Sequence, residues 1–475
     1  MRRAIRSVLV LAGIACFVPP ARAQSPDPID QMARDIFKQL IEINTTDSVG
    51  NVTTAAEAMA QRLRNAGFPE NDLHVDGPND RKKNLVVRFR GTGDRKPILF
   101  IGHLDVVEAL RTDWTTDPFE FIEKDGFFYG RGTEDMKEGD AILVTNFIRL
   151  KQEGFLPDRD LILALTADEE GGSANGVDWL LKRHRDWIDA EYCINLDGGE
   201  FEKENGKPIL AAIQASEKVY VDFQFESLNP GGHSSVPTPD NAIYHLAGAL
   251  ARLQSFSFPL HLNEITRNYF ERTAALVSGQ WSADMKAVAK EPPDPAAARR
   301  LSENAYYNSL LRTTCVATML SGGHARNALP QAARANVNCR LFPGEDPQEI
   351  LKTLERVTND PKVKISIVRQ TDPEGRVVPV VPLPPSPLLP EVTRAMEKTR
   401  SSSWPGIPLV ATMSTGATDG KYTRIAGIPT YGISCMLFDK NDDRAHGKDE
   451  RVGVRDFYDG VVFNYKLIRE LSTTH

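Results

Sequence analysis

Two histidines and several carboxylates stand at the ends of apolar runs, and their chemistry is that of a metal site. Gly102-His103-Leu104-Asp105 closes the run Pro97 to Ile101. If that run is a strand, side chains two apart point the same way, so Asp105 can reach His103. A carboxylate that accepts one imidazole N–H fixes the tautomer and leaves the other nitrogen for a metal. A buried structural histidine would show the same pattern. Asp135, in Gly130-Arg131-Gly132-Thr133-Glu134-Asp135-Met136-Lys137, is either a ligand or an ordinary acid at a helix start. Asp168-Glu169-Glu170 follow the run Leu161 to Thr166, and three adjacent carboxylates repel one another unless cations neutralise them. Asp197 ends a further apolar run in Asn195-Leu196-Asp197-Gly198-Gly199, and Arg444-Ala445-His446-Gly447 comes last. Two histidines and three carboxylates at one sheet edge form a mixed nitrogen and oxygen set suited to zinc, and five ligands exceed what one tetrahedral ion takes. Two ions sharing one bridging carboxylate fit that count. HExxH, GxSxG, a phosphate-binding GxxxxGK[ST] and a post-strand GxGxxG are all absent.

The elements that must hold these residues read as an α/β protein. From about residue 30 to 200, helical patterns alternate with short apolar runs, the signature of a mostly parallel sheet covered by helices. Strands are expected at Asn84 to Phe89, Pro97 to Ile101, Leu161 to Thr166 and Tyr192 to Leu196. Helices are expected at Asp30 to Ile43, Thr54 to Ala66, Gly139 to Gln152 and Gly176 to Lys182. After about residue 210, Val219 to Phe225 and Ala335 to Leu341 alternate apolar and polar residues, as an antiparallel sheet with one solvated face does. Between them Pro259 to Asn308 reads as a helical insertion broken by Glu291-Pro292-Pro293-Asp294-Pro295. A proline-dense link from Val377 to Pro390 precedes a return to the first texture, with a helix from Pro390 and strands near Leu409 and Thr430. The expected division is 24–211 and 381–475 for the catalytic domain, with 212–380 as an inserted α+β domain.

The chain has 475 residues, beyond the size at which one core usually stops growing, which agrees with two domains. Arg2, Arg3 and Arg6 precede the apolar run Val8 to Val18, and Ala21-Arg22-Ala23 supplies small residues for a signal peptidase. Cleavage after Ala23 is expected, giving a secreted or periplasmic protein. The apolar run is short for a membrane span, and no stable membrane insertion is expected. Loss of residues 1–23 removes four arginines and no acids, moving the net charge from −7 to −11. That sign excludes nucleic acid as a natural partner. Cys193, Cys315, Cys339 and Cys435 remain, without a CxxC pair. An oxidising compartment permits a Cys315–Cys339 bridge, but buried free thiols are the expectation.

GHLDVV, GRGTEDMKEG, TADEEGGS, INLDGG, GGHSS and AHGKDE together resemble the metallopeptidase family twenty, the co-catalytic dizinc hydrolases that include aminoacylases, carboxypeptidases, succinyl-diaminopimelate desuccinylases and carnosinase-type dipeptidases. The resemblance spans about residues 30 to 470. It implies that Asp135 bridges two Zn2+ ions per subunit, with Glu170 and His446 completing one site and His103 and Asp197 the other; Co2+ or Mn2+ would suit the same ligands. It implies Glu169 as general base and Asp105 as the catalytic partner of His103. Many relatives have Glu where this chain has Asp197. His233 in Gly231-Gly232-His233-Ser234-Ser235 is implied to reach the substrate oxyanion, often from the partner subunit of a homodimer. Arg340 and Asn327 match positions that hold a substrate carboxylate, a task that suits the arginine fork; a surface charge or a turn former would look the same. The implied reaction is hydrolysis of an amide beside a free carboxylate, in a peptide or an N-acyl amino acid. Two other classes stay open from sequence: a catalytically inactive metal- or peptide-binding protein of the same fold, and a structural zinc protein, against which the lack of a cysteine-rich tetrahedron argues.

Overall fold

The computed structural model describes residues 27–171, 174–371 and 376–473. The expected leader and its cleavage point after Ala23 lie outside these residues. Among the described residues no helix is long and apolar enough to cross a membrane.

A ten-stranded mixed sheet forms the centre of the large domain. Its middle is parallel: the strand Arg95–His103 lies between Arg159–Thr166 and Tyr192–Asn195, with Thr430–Gly432 beyond. Its flanks are antiparallel, where Asn84–Phe89 pairs with Arg159–Thr166 and Thr430–Gly432 meets Lys207–Glu217. Both faces are covered, and alternate residues show it. Leu161, Leu163 and Leu165 enter the core beneath the helices Pro28–Ile41, Val52–Asn65, Lys137–Gln152 and Val454–Leu471, whereas Ile162 and Ala164 pack with Val177 and Leu180 of Gly176–Arg183. A strand buried on both sides reads as a continuous apolar run, as these do.

The strand Lys207–Glu217 leads directly into Val219–Leu228, the first strand of a second sheet. That sheet is antiparallel throughout, in the order Thr314–Gly322, Ala332–Leu341, Val219–Leu228, Val363–Ile367. Its core packs against the helices Ala242–Gln254 and Pro347–Thr358, through Leu246, Ile350 and Leu354. The insertion forms four helices, Glu264–Thr273, Gly279–Val288, Pro295–Leu301 and Ala305–Leu311. Although it lies between strands of the small sheet in sequence, Ile265, Phe270, Met285, Leu301 and Leu310 join the core of the large one. Asn268 Oδ1 accepts from the N–H of Ala411 at 3.0 Å, tying the first of these helices to the strand Leu409–Ser414.

The expectation of free thiols fails for one pair. Cys315 and Cys339 are joined as a disulfide, while Cys193 and Cys435 stay reduced and buried. The two bridged residues are direct cross-strand partners on Thr314–Gly322 and Ala332–Leu341. Sequence spacing alone gave no sign of that register.

Candidate metal centre

Strand register assembles the centre. Parallel pairing sets His103 opposite Thr166 and Ile101 opposite Asn195, so three strands finish at one edge with His103, the Asp168–Glu170 turn and Asp197 side by side. Ligands in open α/β sheets gather at this carboxyl edge. The approach is close. A Cβ at Gly102 would lie 2.3 Å from Asp140 Oδ1, so only glycine fits before His103.

Ligand atoms of His103, Asp135 and Asp197 lie within 4.8 Å of one another, and so do those of Asp135, Glu170 and His446. Asp135 belongs to both triads. Its Oδ1 faces His103 Nε2 at 3.0 Å and its Oδ2 faces His446 Nε2 at 2.9 Å. His446 Nε2 is also 3.0 Å from Glu170 Oε1. His103 is 2% exposed, whereas His446 opens to solvent. His103 Nδ1 lies 3.0 Å from the backbone oxygen of Asp105. A carbonyl only accepts, so Nδ1 carries the proton and Nε2 is the nitrogen available to a metal.

That geometry revises the role expected of Asp105. Its carboxylate is 3.8 Å from His103 Nδ1 and accepts instead from the backbone N–H groups of Glu169 and Glu170, at 3.1 and 3.0 Å. The side chain thus pins the turn bearing the implied base. The three adjacent acids diverge: Asp168 turns back to an ion pair with Lys82 and to the N–H of Ala174, while Glu169 and Glu170 face the cluster.

A buried network whose parts the sequence did not reveal holds the loops of Asp135 and His446, the two remaining candidate ligands. Glu450, fully buried, pairs with Arg131 and accepts from the N–H groups of Gly132, Glu134 and Asp135, the last two at 2.6 and 3.2 Å. Arg131 in turn donates to the backbone oxygens of His446 and Gly447, and Glu134 accepts from the N–H of Arg444 at 2.7 Å. Asp135 and His446 therefore sit on loops clamped to each other. Asp419 is also buried, bonded to Thr166 Oγ1 and Asn175 Nδ2 at 3.0 and 2.6 Å. Glu450 closes the motif AHGKDE and Asp419 lies in Ser414-Thr415-Gly416-Ala417-Thr418-Asp419-Gly420, but each acts across more than 200 positions of chain, which no local pattern expresses.

The donor set fits divalent cations. Burial pushes the Glu169 and Asp197 carboxyls well above their ordinary range, and neighbouring carboxylates add to it. Hydrogen bonds to Asp135 and Glu170 raise His446 to about 10. A cluster that pulls protons onto its histidines and acids is one short of positive charge. Two cations sharing Asp135 would supply it through a ligand set typical of zinc.

The small domain's expected residues do not join this cluster. His233 is exposed, and its Nδ1 engages Ser235 Oγ at 2.6 Å within its own loop. It pairs with Ala328 in a two-residue ladder, and the backbone oxygen of Asn327 accepts from Ser234. Arg340 stacks over the Tyr220 ring, 4.7 Å from its centroid.

Residues 99–470 match the family model described as Peptidase family M20/M25/M40, and the chain belongs to that family. It is an enzyme of the metallopeptidase and amidohydrolase class. It is similar to the "Probable carboxypeptidase S-like 2" of Dictyostelium discoideum, 29% identical over 483 residues, covering 90% of this chain and 88% of the relative. The N-fatty-acyl-amino acid synthase/hydrolase of Homo sapiens is 27% identical over 395 residues, 80% of this chain and 74% of that protein. The crystal structure of an M20 family metallo-carboxypeptidase from Sulfolobus solfataricus shares the fold, with a TM-score of 0.66 at 15% identity over 92% of this chain and 99% of that one.

Proposed function

We propose that this protein is an exported two-zinc hydrolase that cleaves an amide bond beside a free carboxylate, in peptides or N-acyl amino acids. The observation that carries the reading is the pair of triads sharing Asp135, with the half-buried Glu169 beside them. Bound there, two divalent ions would polarise the scissile carbonyl and acidify a water. Asp135 would be shared by both ions, with His103 and Asp197 completing one position and Glu170 and His446 the other. Glu169 takes the proton of the attacking water and returns it to the leaving nitrogen. Asp105 keeps Glu169 in place through the two backbone N–H groups it accepts.

His233 donates to the oxyanion, and Arg340 with Asn327 holds the substrate carboxylate. These roles require the small domain to approach the centre, from the same chain or a second one. The edge strand Thr314–Gly322 leaves Val316, Met319 and Leu320 exposed, which supports a homodimer through this domain. The leader-like first 23 residues and the Cys315–Cys339 disulfide both favour a secreted or periplasmic location.

The test is metal analysis of the mature protein with assays on dipeptides, C-terminal peptide bonds and N-acyl amino acids. Two zinc ions per chain and turnover that Glu169→Ala abolishes, with metal retained, are expected. Bound zinc without turnover of any such compound would identify a binding protein instead.

A further inference from the structure

Beside the metal centre, on the side of Asp135 and Asp197, lies a cavity of about 260 Å³. Six further acids line it: Glu134, Glu138, Glu200, Glu202, Asp439 and Asp443. Among the described residues the one base on its wall is Lys440, which is paired at 2.9 Å with Glu204, outside the lining. The charge of two zinc ions is matched by the carboxylates of Asp135, Glu170 and Asp197 together with Glu169. That leaves Lys440, shared between Glu204 and Glu202, as the one basic side chain on a wall of six acids.

Glu138 is the second observation. It is 3% exposed, lines the cavity, and has one carboxylate oxygen without a hydrogen-bond partner. A buried carboxylate oxygen left so is expensive unless a cation or donor comes to it. The wall is not purely acidic, because Met136, Leu196 and Phe438 also contribute. Burial and the charge of Glu202 raise the Tyr307 phenol, which places the helical insertion at the same side. A small hydrated ion has no use for apolar walls, whereas an organic cation has a stem to bury and a head that favours aromatic faces.

Resting on the hydrolase reading above, we infer that this cavity binds an ammonium or guanidinium group of the substrate, so the enzyme selects peptides carrying a cation on the acyl side of the scissile bond over neutral N-acyl amino acids. The cation is the α-ammonium or a basic side chain. Glu200 and Glu202 select it at the rim and Glu138 receives it at the base.

The experiment compares Ala-Leu, Nα-acetyl-Lys-Leu and Nα-acetyl-Ala-Leu on the zinc-loaded wild type and on Glu200→Gln/Glu202→Gln, with calorimetric binding of L-lysine amide to both. At least one cationic dipeptide should exceed the neutral one in kcat/KM by about tenfold or more, worth about 1.4 kcal/mol, and which one identifies the cation. In the double variant that preference should fall while turnover of the neutral dipeptide is kept, and L-lysine amide binding should weaken by a similar factor. Equal or better turnover of the neutral substrate, or a preference unchanged in the variant, overturns the inference and leaves the hydrolase reading standing. A third zinc per chain that disappears in the variant also overturns it, assigning the cavity to a metal. If none of the three is cleaved, the hydrolase reading is the one in question, and L-lysine amide binding still decides the cavity: loss in the variant supports the inference, and no binding to wild type refutes it.

Discussion

The metal centre and the His233 hairpin are built in opposite ways. Three loops at the centre are clamped by buried side chains from elsewhere in the chain: Asp105 holds the Glu169–Glu170 turn, Glu450 holds Asp135, and Arg131 holds the His446 loop. The hairpin around His233 has two ladder positions, an exposed ring and a hydrogen bond to a serine two residues away. The contrast separates preorganisation from recruitment. The side chains of the centre already face one another, whereas the role proposed for His233 requires substrate or a second subunit to place the hairpin, and that ordering would draw on binding energy.

The largest expected effect tests the clamped side. Glu450→Gln leaves the Arg131 guanidinium buried without its counter-charge and removes an anionic acceptor from three backbone N–H groups. Breaking such a pair costs about 3–5 kcal/mol. Urea unfolding should show that loss, and metal analysis should show a depleted metal content, because Asp135 belongs to both triads. Unchanged stability and metal content would mean the clamp is idle, and the contrast would lose its first half.

Cys315→Ser probes the other region, where the bridge closes a loop with 24 residues of sequence separation. A loop of that length predicts a loss of roughly 3 kcal/mol in unfolding free energy. Metal content at low denaturant should not change, because neither triad draws a residue from that sheet. Metal loss together with the disulfide would show the regions coupled more tightly than their contacts suggest.

A smaller effect comes from His233→Ala, which should lower kcat by about 10²-fold, the scale of one oxyanion donor. Zinc content and the unfolding midpoint should both stay at wild-type values. A drop in metal content would put His233 in the centre itself. No change in kcat would remove it from the reaction.

The same contrast explains what the sequence made legible. Of the five candidate ligands, His103, Glu170 and Asp197 follow apolar runs that are parallel strands, and that register brings them to one edge, whereas Asp135 and His446 reach it on loops. Strand alternation likewise separated the two sheets. Glu450 and Glu138 stand inside the quoted motifs AHGKDE and GRGTEDMKEG, yet their parts were hidden, as was that of Asp419, because each acts on a partner distant in sequence or in a cavity. Asp105 lies 3.8 Å from His103 on the side that a spacing of two implied, but spacing does not say which N–H groups its carboxylate accepts, and those are the ones of Glu169 and Glu170. The Cys315–Cys339 pairing and the docking of the insertion on the large core depend on tertiary register, which composition cannot express.

The smallest effect is a pH dependence confined to the small domain. Hydrogen bonds to Asp360 at 2.8 Å and Asp240 at 3.1 Å raise the pKa of His245, with burial opposing, and Arg252 lies 3.8 Å from the same Asp360 carboxylate. A histidine whose folded pKa exceeds its unfolded value of about 6.5 adds stability that is full below that value and fades as pH climbs through the folded one. His245→Gln should therefore reduce unfolding free energy at pH 6 by about 1 kcal/mol or less, the scale of a solvent-facing pair. Above the folded pKa the two proteins should converge. Added salt should shrink the gap at pH 6, because these charges meet solvent. Urea unfolding at both pH values reads the difference directly. A gap of equal size at both would show that His245 acts through packing, and one that widened with pH would reverse the sign and refute the ion pair.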